Sequence, residues 1–208
     1  MKIEKIKSIK KISTSSKRYD IEIIKQHCYF ANNILVHNSS GTYYVKDNVF
    51  GVCSRNLELK EEDNNAFWKI AKKHDLENKI KSYFPNRNIA LQGEVYGPGI
   101  QDNLLGVTEV SFAAFNLFDI DTQTYLGHFD LINFTNIMQI PMVKVFEIGN
   151  NFKYTLQQLQ TIANELTYEN GNLAEGIVVR PVTETVSETL KGRLSGKIVS
   201  EPFELKYG

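Results

Sequence analysis

Apolar positions divide this chain of 208 residues into two differently patterned stretches. In the first, Ile3, Ile6, Ile9 and Ile12 sit among lysines, Tyr19-Asp20-Ile21-Glu22-Ile23 alternates, and Tyr29-Phe30 and Ile34-Leu35-Val36 are short runs of strand formers. That pattern predicts short strands, with residues 13–17 as a turn cluster and Asn32-Asn33 as a tight turn. In the second, Tyr43-Tyr44-Val45 and Val49-Phe50-Gly51-Val52 flank Lys46-Asp47-Asn48, a hairpin signal. Residues 64–84 carry apolar positions at helical spacing, but the phase slips at His74-Asp75. Two short helices are predicted, with Asp75 near a cap and residues 85–88 as a turn. Residues 89–99, 110–120 and 173–180 read as apolar strands, each carrying an acid (Glu94, Asp119, Glu175). Residues 129–138 and 156–166 read as helices. Residues 183–196, rich in Thr, Ser and Glu, read as a mobile loop.

Charge supports the division. The net charge is zero, yet residues 1–38 hold eight Lys/Arg against three acids, a balance of +5, and the remainder carries −5. Opposite signs suggest two units with different partners, and the domain reading is 1–38 and 39–208. The first unit is too short to bury its own core. The second, with that acidic balance, does not suit a large basic surface for nucleic acid. The two cysteines, Cys28 and Cys53, give no disulfide framework. Cys28 reads as core filler, and a reducing, cytoplasmic setting is the default. No stretch approaches the ~18 unbroken apolar residues of a membrane span, so no membrane partner is expected. The basic start lacks the apolar run of a secretory signal.

The junction between the units carries candidate chemistry. Ile34-Leu35-Val36 leads into His37-Asn38, and Ser39 follows at once. An Asn amide can attack its own backbone carbonyl, closing a succinimide and cutting the chain after Asn38. His37 stands where it can move the protons, and Ser39 offers an oxygen nucleophile beside the cut. Alone, His-Asn-Ser is a weak signal. With Tyr19-Asp20-Ile21-Glu22 and His27-Cys28-Tyr29-Phe30-Ala31-Asn32 upstream, residues 19–39 resemble the carboxyl-terminal blocks of an intein. A basic β fragment without an amino-terminal half resembles one piece of a split intein. The resemblance implies that Asn38 cyclises, that His37 and His27 assist, that Asp20 helps activate the downstream nucleophile, and that Ser39 is that nucleophile. Taken singly, His27 reads as a strand-packing residue and Asp20 as a surface acid. Splicing needs no cofactor, but it needs a partner chain, expected to be acidic.

The second unit has its own constellation: Glu94, Asp119 and Glu175 at strand ends, Arg55 before them, Lys197 and Lys206 after. An acid inside an apolar strand is costly unless it binds something. Glycines beside two of them (Gly93-Glu94, Glu175-Gly176) let a ligand approach the backbone. The order Ser54-Arg55, Gln92-Gly93-Glu94-Val95-Tyr96-Gly97, Phe118-Asp119, Glu175-Gly176-Ile177-Val178-Val179-Arg180 and Lys197…Lys206 resembles the motif series of the covalent nucleotidyltransferases. The wording resembles the ATP-dependent nick-sealing RNA ligases.

The resemblance implies an α+β fold, with a small β-rich intein fragment before an antiparallel-sheet, ATP-grasp-like nucleotidyltransferase core with peripheral helices. It implies that ATP and Mg2+ or Mn2+ serve a ligase acting on nicked RNA or RNA/DNA duplex through lysyl-AMP. Arg55 would contact phosphate or the nick, Glu94 the adenosine ribose, and Phe118 would stack on adenine. Glu175 would hold the metal, and Lys197 and Lys206 the α-phosphate, Lys206 being the looser match. The family's nucleophile in Lys-x-Asp-Gly is absent, since the matching Ser-Ser-Gly-Thr (residues 39–42) directly follows Asn38. A partner chain carrying that lysine and the intein amino-half is therefore expected. A DNA ligase or capping-type fragment, or a non-catalytic nucleic-acid-binding domain, is the competing reading.

Overall fold

The computed structural model describes residues 40–100 and 103–207, and before them the backbone of four short strands. These are β1 (Ile9–Lys11), β2 (Tyr19–Ile21), β3 (Tyr29–Ala31) and β4 (Ile34–Val36). β1 pairs antiparallel with β2, setting Lys10 opposite Asp20, and β3 pairs antiparallel with β4, setting Phe30 opposite Leu35. Ile9, Tyr19, Ile21, Tyr29, Phe30 and Ile34-Leu35-Val36 thus lie in strands, while Ile3, Ile6, Ile12 and Ile23 lie outside the described residues. His27, Cys28, the Asn32-Asn33 turn, His37, Asn38 and Ser39 lie outside the described residues, and Asp20 is described only as a backbone position.

The platform is a five-stranded sheet of order β6-β5-β7-β8-β9, antiparallel throughout. Its strands are β5 (Ser40–Lys46), β6 (Val49–Cys53), β7 (Ile89–Tyr96), β8 (Ser111–Asp119) and β9 (Thr124–Tyr125). The β5–β6 hairpin turns on Asp47 and Asn48, both at positive φ (52° and 62°). Short polar side chains tolerate that geometry, and it matches the twist of a tight hairpin. Along β5, Gly41, Tyr43 and Val45 are buried while Ser40, Thr42 and Tyr44 are only partly so, the period-2 signature of a sheet covered on one face.

Three helices cover that face: α1 (Ala66–Lys73), α2 (Leu76–Tyr83) and α3 (His128–Met138). α1 starts where the Asn65 side chain accepts from the backbone N–H groups of Phe67 (2.9 Å) and Trp68 (3.2 Å). Asp75 does separate α1 from α2, but not as a side-chain cap. It is left-handed (φ 51°), and its carboxylate takes the Asn78 amide instead, at 2.8 Å. The core between sheet and helices is built on Tyr43, Leu76, Ile80, Leu91, Phe112 and Phe134, all essentially inaccessible to solvent. No helix among the described residues is long and apolar enough to cross a membrane.

A bulge between β7 and β8 decides which side chains reach the open face. Gln92 pairs with Asn116 and Gly93 with Ala114, so Phe115 has no partner position. Before it, Phe112 and Ala114 face the core; after it, Leu117 does. Asn116 and Phe118 therefore join Gln92 and Glu94 on the face away from the helices. Gly93 is required here: a Cβ would lie 2.3 Å from the Phe112 ring and 2.6 Å from the Ala113 carbonyl oxygen.

A smaller unit follows. α4 (Leu156–Glu165) packs on an antiparallel pair, β10 (Gly176–Val179) with β13 (Gly196–Val199), through Leu159, Ala163 and Ile198. Thr155 and Gln158 cap α4 reciprocally, side chain to backbone at 3.2 Å and 2.8 Å. α5 (Glu201–Tyr207) closes the described chain. Residues 183–196, predicted to be a mobile loop, instead contain a hairpin, β11 (Val186–Ser187) with β12 (Gly192–Arg193). The polar composition hid it because Arg193 and Glu184 find ion-pair partners in each other.

Candidate functional site

The site is the open face of the five-stranded sheet and the charged edge of the smaller unit. Strand register sets its rows. Thr42, Gln92 and Asn116 stand side by side across β5, β7 and β8, while Tyr44, Ala90, Phe118 and Tyr125 form the next same-face row. Ser40 stands opposite Glu94, and its hydroxyl donates to Glu94 Oε2 at 3.2 Å. Phe118 is half-buried, with Tyr125 packed edge-on against it at 5.0 Å between ring centres. Arg55 lies beyond the end of β6, in a tight loop closed by the Ser54 N–H to the Leu57 carbonyl (2.9 Å). Cys53 pairs with Thr42, so this loop leaves the sheet at its Ser40–Glu94 end.

Glu175 precedes β10 and Lys197 is the second residue of β13. They meet as an ion pair of 2.6 Å, each about a quarter to a third exposed. Gly176 enforces this approach: its φ is +149°, and a Cβ would fall 2.0 Å from the Ile198 carbonyl oxygen. Tyr168 connects the two units. Burial raises its phenol, a backbone hydrogen bond of Glu175 offsets part of that, and the charges of Glu175 and Glu94 raise it further.

A second set of ties crosses the face. Asn116 Oδ1 accepts from Arg180 Nη1 (2.5 Å) and Arg193 Nη1 (2.7 Å), while its amide nitrogen donates to Gln92 Oε1 (3.1 Å). Arg193 also pairs with Glu184 and stacks 4.2 Å above the Tyr125 ring. Burial lowers the Arg180 guanidinium from its ordinary value and the neighbouring Arg193 charge lowers it further, with Glu184 opposing. His128, lining the same crevice between β8 and α3, is lowered by burial and by Arg180.

The predicted site residues are thus partly assembled. Glu94, Phe118, Glu175 and Lys197 border the open face. Lys206 does not join them: it is exposed on α5, with its ammonium 4.9 Å from the ring of Tyr207. Asp119 does not belong to the constellation of acids. The bulge turns it away from the open face, where its carboxylate accepts from the N–H groups of Asp121 (3.1 Å) and Thr122 (3.0 Å) and pairs with Arg87 at 2.6 Å. The Thr122 backbone bond, then Arg87, hold it below the usual carboxylate range. Residue type singles out neither Tyr168, Tyr125 nor Arg193; only their neighbours across the fold do.

No three His, Cys, Asp or Glu side chains gather as a metal cage among the described residues. Glu175, already holding Lys197, suits a hard divalent ion carried mainly by phosphate oxygens and water, with one protein carboxylate.

Residues 36–199 match the family described as RNA ligase. Among solved structures the chain is similar to an RNA ligase of Naegleria gruberi with PPi, at 30% identity and a TM-score of 0.69, over 82% of this chain and 49% of that one. Two further structures of that enzyme are similar to the same degree. A lysine-to-alanine mutant with ATP and Mn has 30% identity, a TM-score of 0.70, and coverage of 82% and 49%. A glutamate-to-alanine mutant with AMP and Mn has 29% identity, a TM-score of 0.69, and the same coverage. The chain therefore spans about half the length of these relatives. No curated protein matches it. A family match over most of the chain makes this chain a member of the RNA ligase family.

Proposed function

We propose that residues 39–208 are the carboxyl-terminal part of an ATP-dependent RNA ligase that seals 5′-phosphate/3′-hydroxyl nicks, and that residues 1–38 are the carboxyl half of a split intein. The observations that carry the ligase reading are Glu94 and Phe118 on one open sheet face, the Glu175–Lys197 pair on the smaller unit, and the ties from Arg180 and Arg193 to Asn116 that join the smaller unit to that face. That set can stack a base, bond a ribose hydroxyl and hold phosphate. The lysine nucleophile comes from a partner chain bearing Lys-x-Asp-Gly. Its amine attacks the ATP α-phosphorus and pyrophosphate leaves. AMP then passes to the 5′-phosphate, and the 3′-hydroxyl displaces it.

In these steps Lys197 steadies the α-phosphate oxygens as a point charge, and Arg55 contacts the phosphate at the nick. Glu175 orients Lys197 and provides the carboxylate for the divalent ion, which would neutralise phosphate charge. With label in the α-phosphate of ATP, the joined enzyme should become labelled and the isolated chain should not. Labelling of the isolated chain would overturn the missing-nucleophile reading.

The splicing reading rests on residues 19–39. Asn38 cyclises with help from His37 and His27, after Ser39, activated by Asp20, has accepted the upstream segment as an ester. The ester then rearranges to a peptide bond. Mixed with a partner carrying the intein amino-half, the chain should release residues 1–38, seen by mass. Asn38→Ala should abolish that release, and release despite the substitution would refute the assignment. On this reading the precursor is inert because the intein interrupts the nucleotide-binding motif just before Ser39.

A further inference from the structure

The geometry points to Gln92 as a polarity-locked hydrogen-bond donor that reads an acceptor atom on the nucleotide's purine ring, with Asn116, Arg180 and Arg193 setting its polarity. The inference rests on the nucleotide-site reading above and assigns a residue to which the motif series gives no role.

A guanidinium has only donors. Arg180 and Arg193 both donate to one atom of Asn116, so that atom is the amide oxygen. The Asn116 nitrogen then faces Gln92, and the atom it meets must be the Gln92 oxygen. The Gln92 NH2 group is thereby left pointing elsewhere. It has no hydrogen-bond partner among the described residues, and it is not among their buried unsatisfied polar atoms, so it stays accessible. An unconstrained glutamine amide would be ambivalent between donor and acceptor. Here two cations, acting through one asparagine, make it a donor.

Its place on the sheet selects the ligand. Gln92 lies between Glu94, two residues along the same face of β7, and the diagonal neighbour Phe118 on β8. A base stacked on Phe118 with its ribose toward Glu94 passes beside this donor. Purine ring nitrogens are acceptors in the base plane and complement it. Both arginines are tied to the asparagine oxygen, and Arg193 is further engaged by Glu184 and the Tyr125 face. Gln92 therefore contacts the ligand, and Asn116 acts through it as a positioning residue.

The test measures ATP affinity of the joined enzyme, by displacement of a fluorescent nucleotide, with thermal melting in parallel. Gln92→Met keeps the side-chain length and removes the donor; ATP should bind roughly fivefold to tenfold more weakly. Asn116→Asp keeps the acceptor for both arginines and removes the nitrogen that holds Gln92, so it should weaken ATP by a similar factor. Because Asn116 acts through Gln92, the double variant should bind no worse than either single one. Wild-type affinity in Gln92→Met, or additive losses in the double variant, would overturn the proposal. If Asn116→Asp melts early, Gln92→Met alone carries the decision. No ATP binding by the unsubstituted joined enzyme would instead overturn the nucleotide-site reading, and this inference with it.

Discussion

The five-stranded sheet and the smaller α4–β10–β13 unit solve the same problem differently. Among the described residues, seventeen buried apolar side chains join sheet and helices into one core, against three in the smaller unit. The sheet is held by packing. The smaller unit is held largely by polar ties: Gln160 to the Val199 carbonyl (2.8 Å), Lys197 to Glu175 (2.6 Å), and Arg180 and Arg193 to Asn116 across the open face. A four-residue strand pair with so small a core is marginal alone. Lys197 and Glu175, assigned to phosphate and metal in the proposed function, sit on the unit with the smaller core.

The comparison can be broken most severely at Phe134, which is fully buried on the inner face of α3. Phe134→Ala should cost about 3–5 kcal/mol in chemical unfolding and destabilise the whole chain. Gly176→Ala strikes the smaller unit, where the new methyl would collide with the Ile198 carbonyl at positive φ. It should cost about 1–3 kcal/mol, and hydrogen exchange should show loss of protection in Ile177–Val179 with β7 unaffected. Equal loss in both would mean that the two units unfold as one.

Arg193→Ala should cost about 1–2 kcal/mol, since it removes the contact to Asn116, the pair with Glu184 and the Tyr125 stacking. Limited proteolysis within residues 183–196 should accelerate. Asp119→Asn should cost about 1 kcal/mol near neutral pH. The folded-state Asp119 is held below its ordinary range, so its contribution is present above about pH 4 and lost as pH falls through the lowered value. Melting curves of variant and parent should therefore converge in acid. The smallest effect belongs to Glu77→Gln, which removes an exposed i,i+4 pair with Lys81 and should change stability by less than about 0.5 kcal/mol.

Much of this was legible along the chain. Alternation at residues 43–45 and 49–52 marked the hairpin, and the phase slip at His74-Asp75 marked the break between α1 and α2. Glu94, Phe118, Glu175 and Lys197 were each singled out, and they do border one face. Asp119 misled because an acid at the end of an apolar strand has the same signature whether it binds a ligand or caps a turn; Arg87 and the Thr122 N–H decided which. Lys206 follows Lys197 closely in sequence, but the helix beginning at Glu201 carries it onto an exposed surface.

Local preference, then, was enough for most of the elements, the β11–β12 hairpin excepted: periodicity, turn residues and caps act within a few positions, and the sequence states them directly. The order of the acids and lysines was also in the sequence, and with it membership of a family. The facing of side chains was not. The bulge at Phe115 exists because β7 and β8 must pair while each keeps its apolar residues on the helices, and it is this long-range compromise that turns Asn116 and Phe118 outward. The meeting of Arg180, Arg193, Asn116 and Gln92 likewise joins residues more than sixty positions apart, through hydrogen bonds that no local pattern encodes.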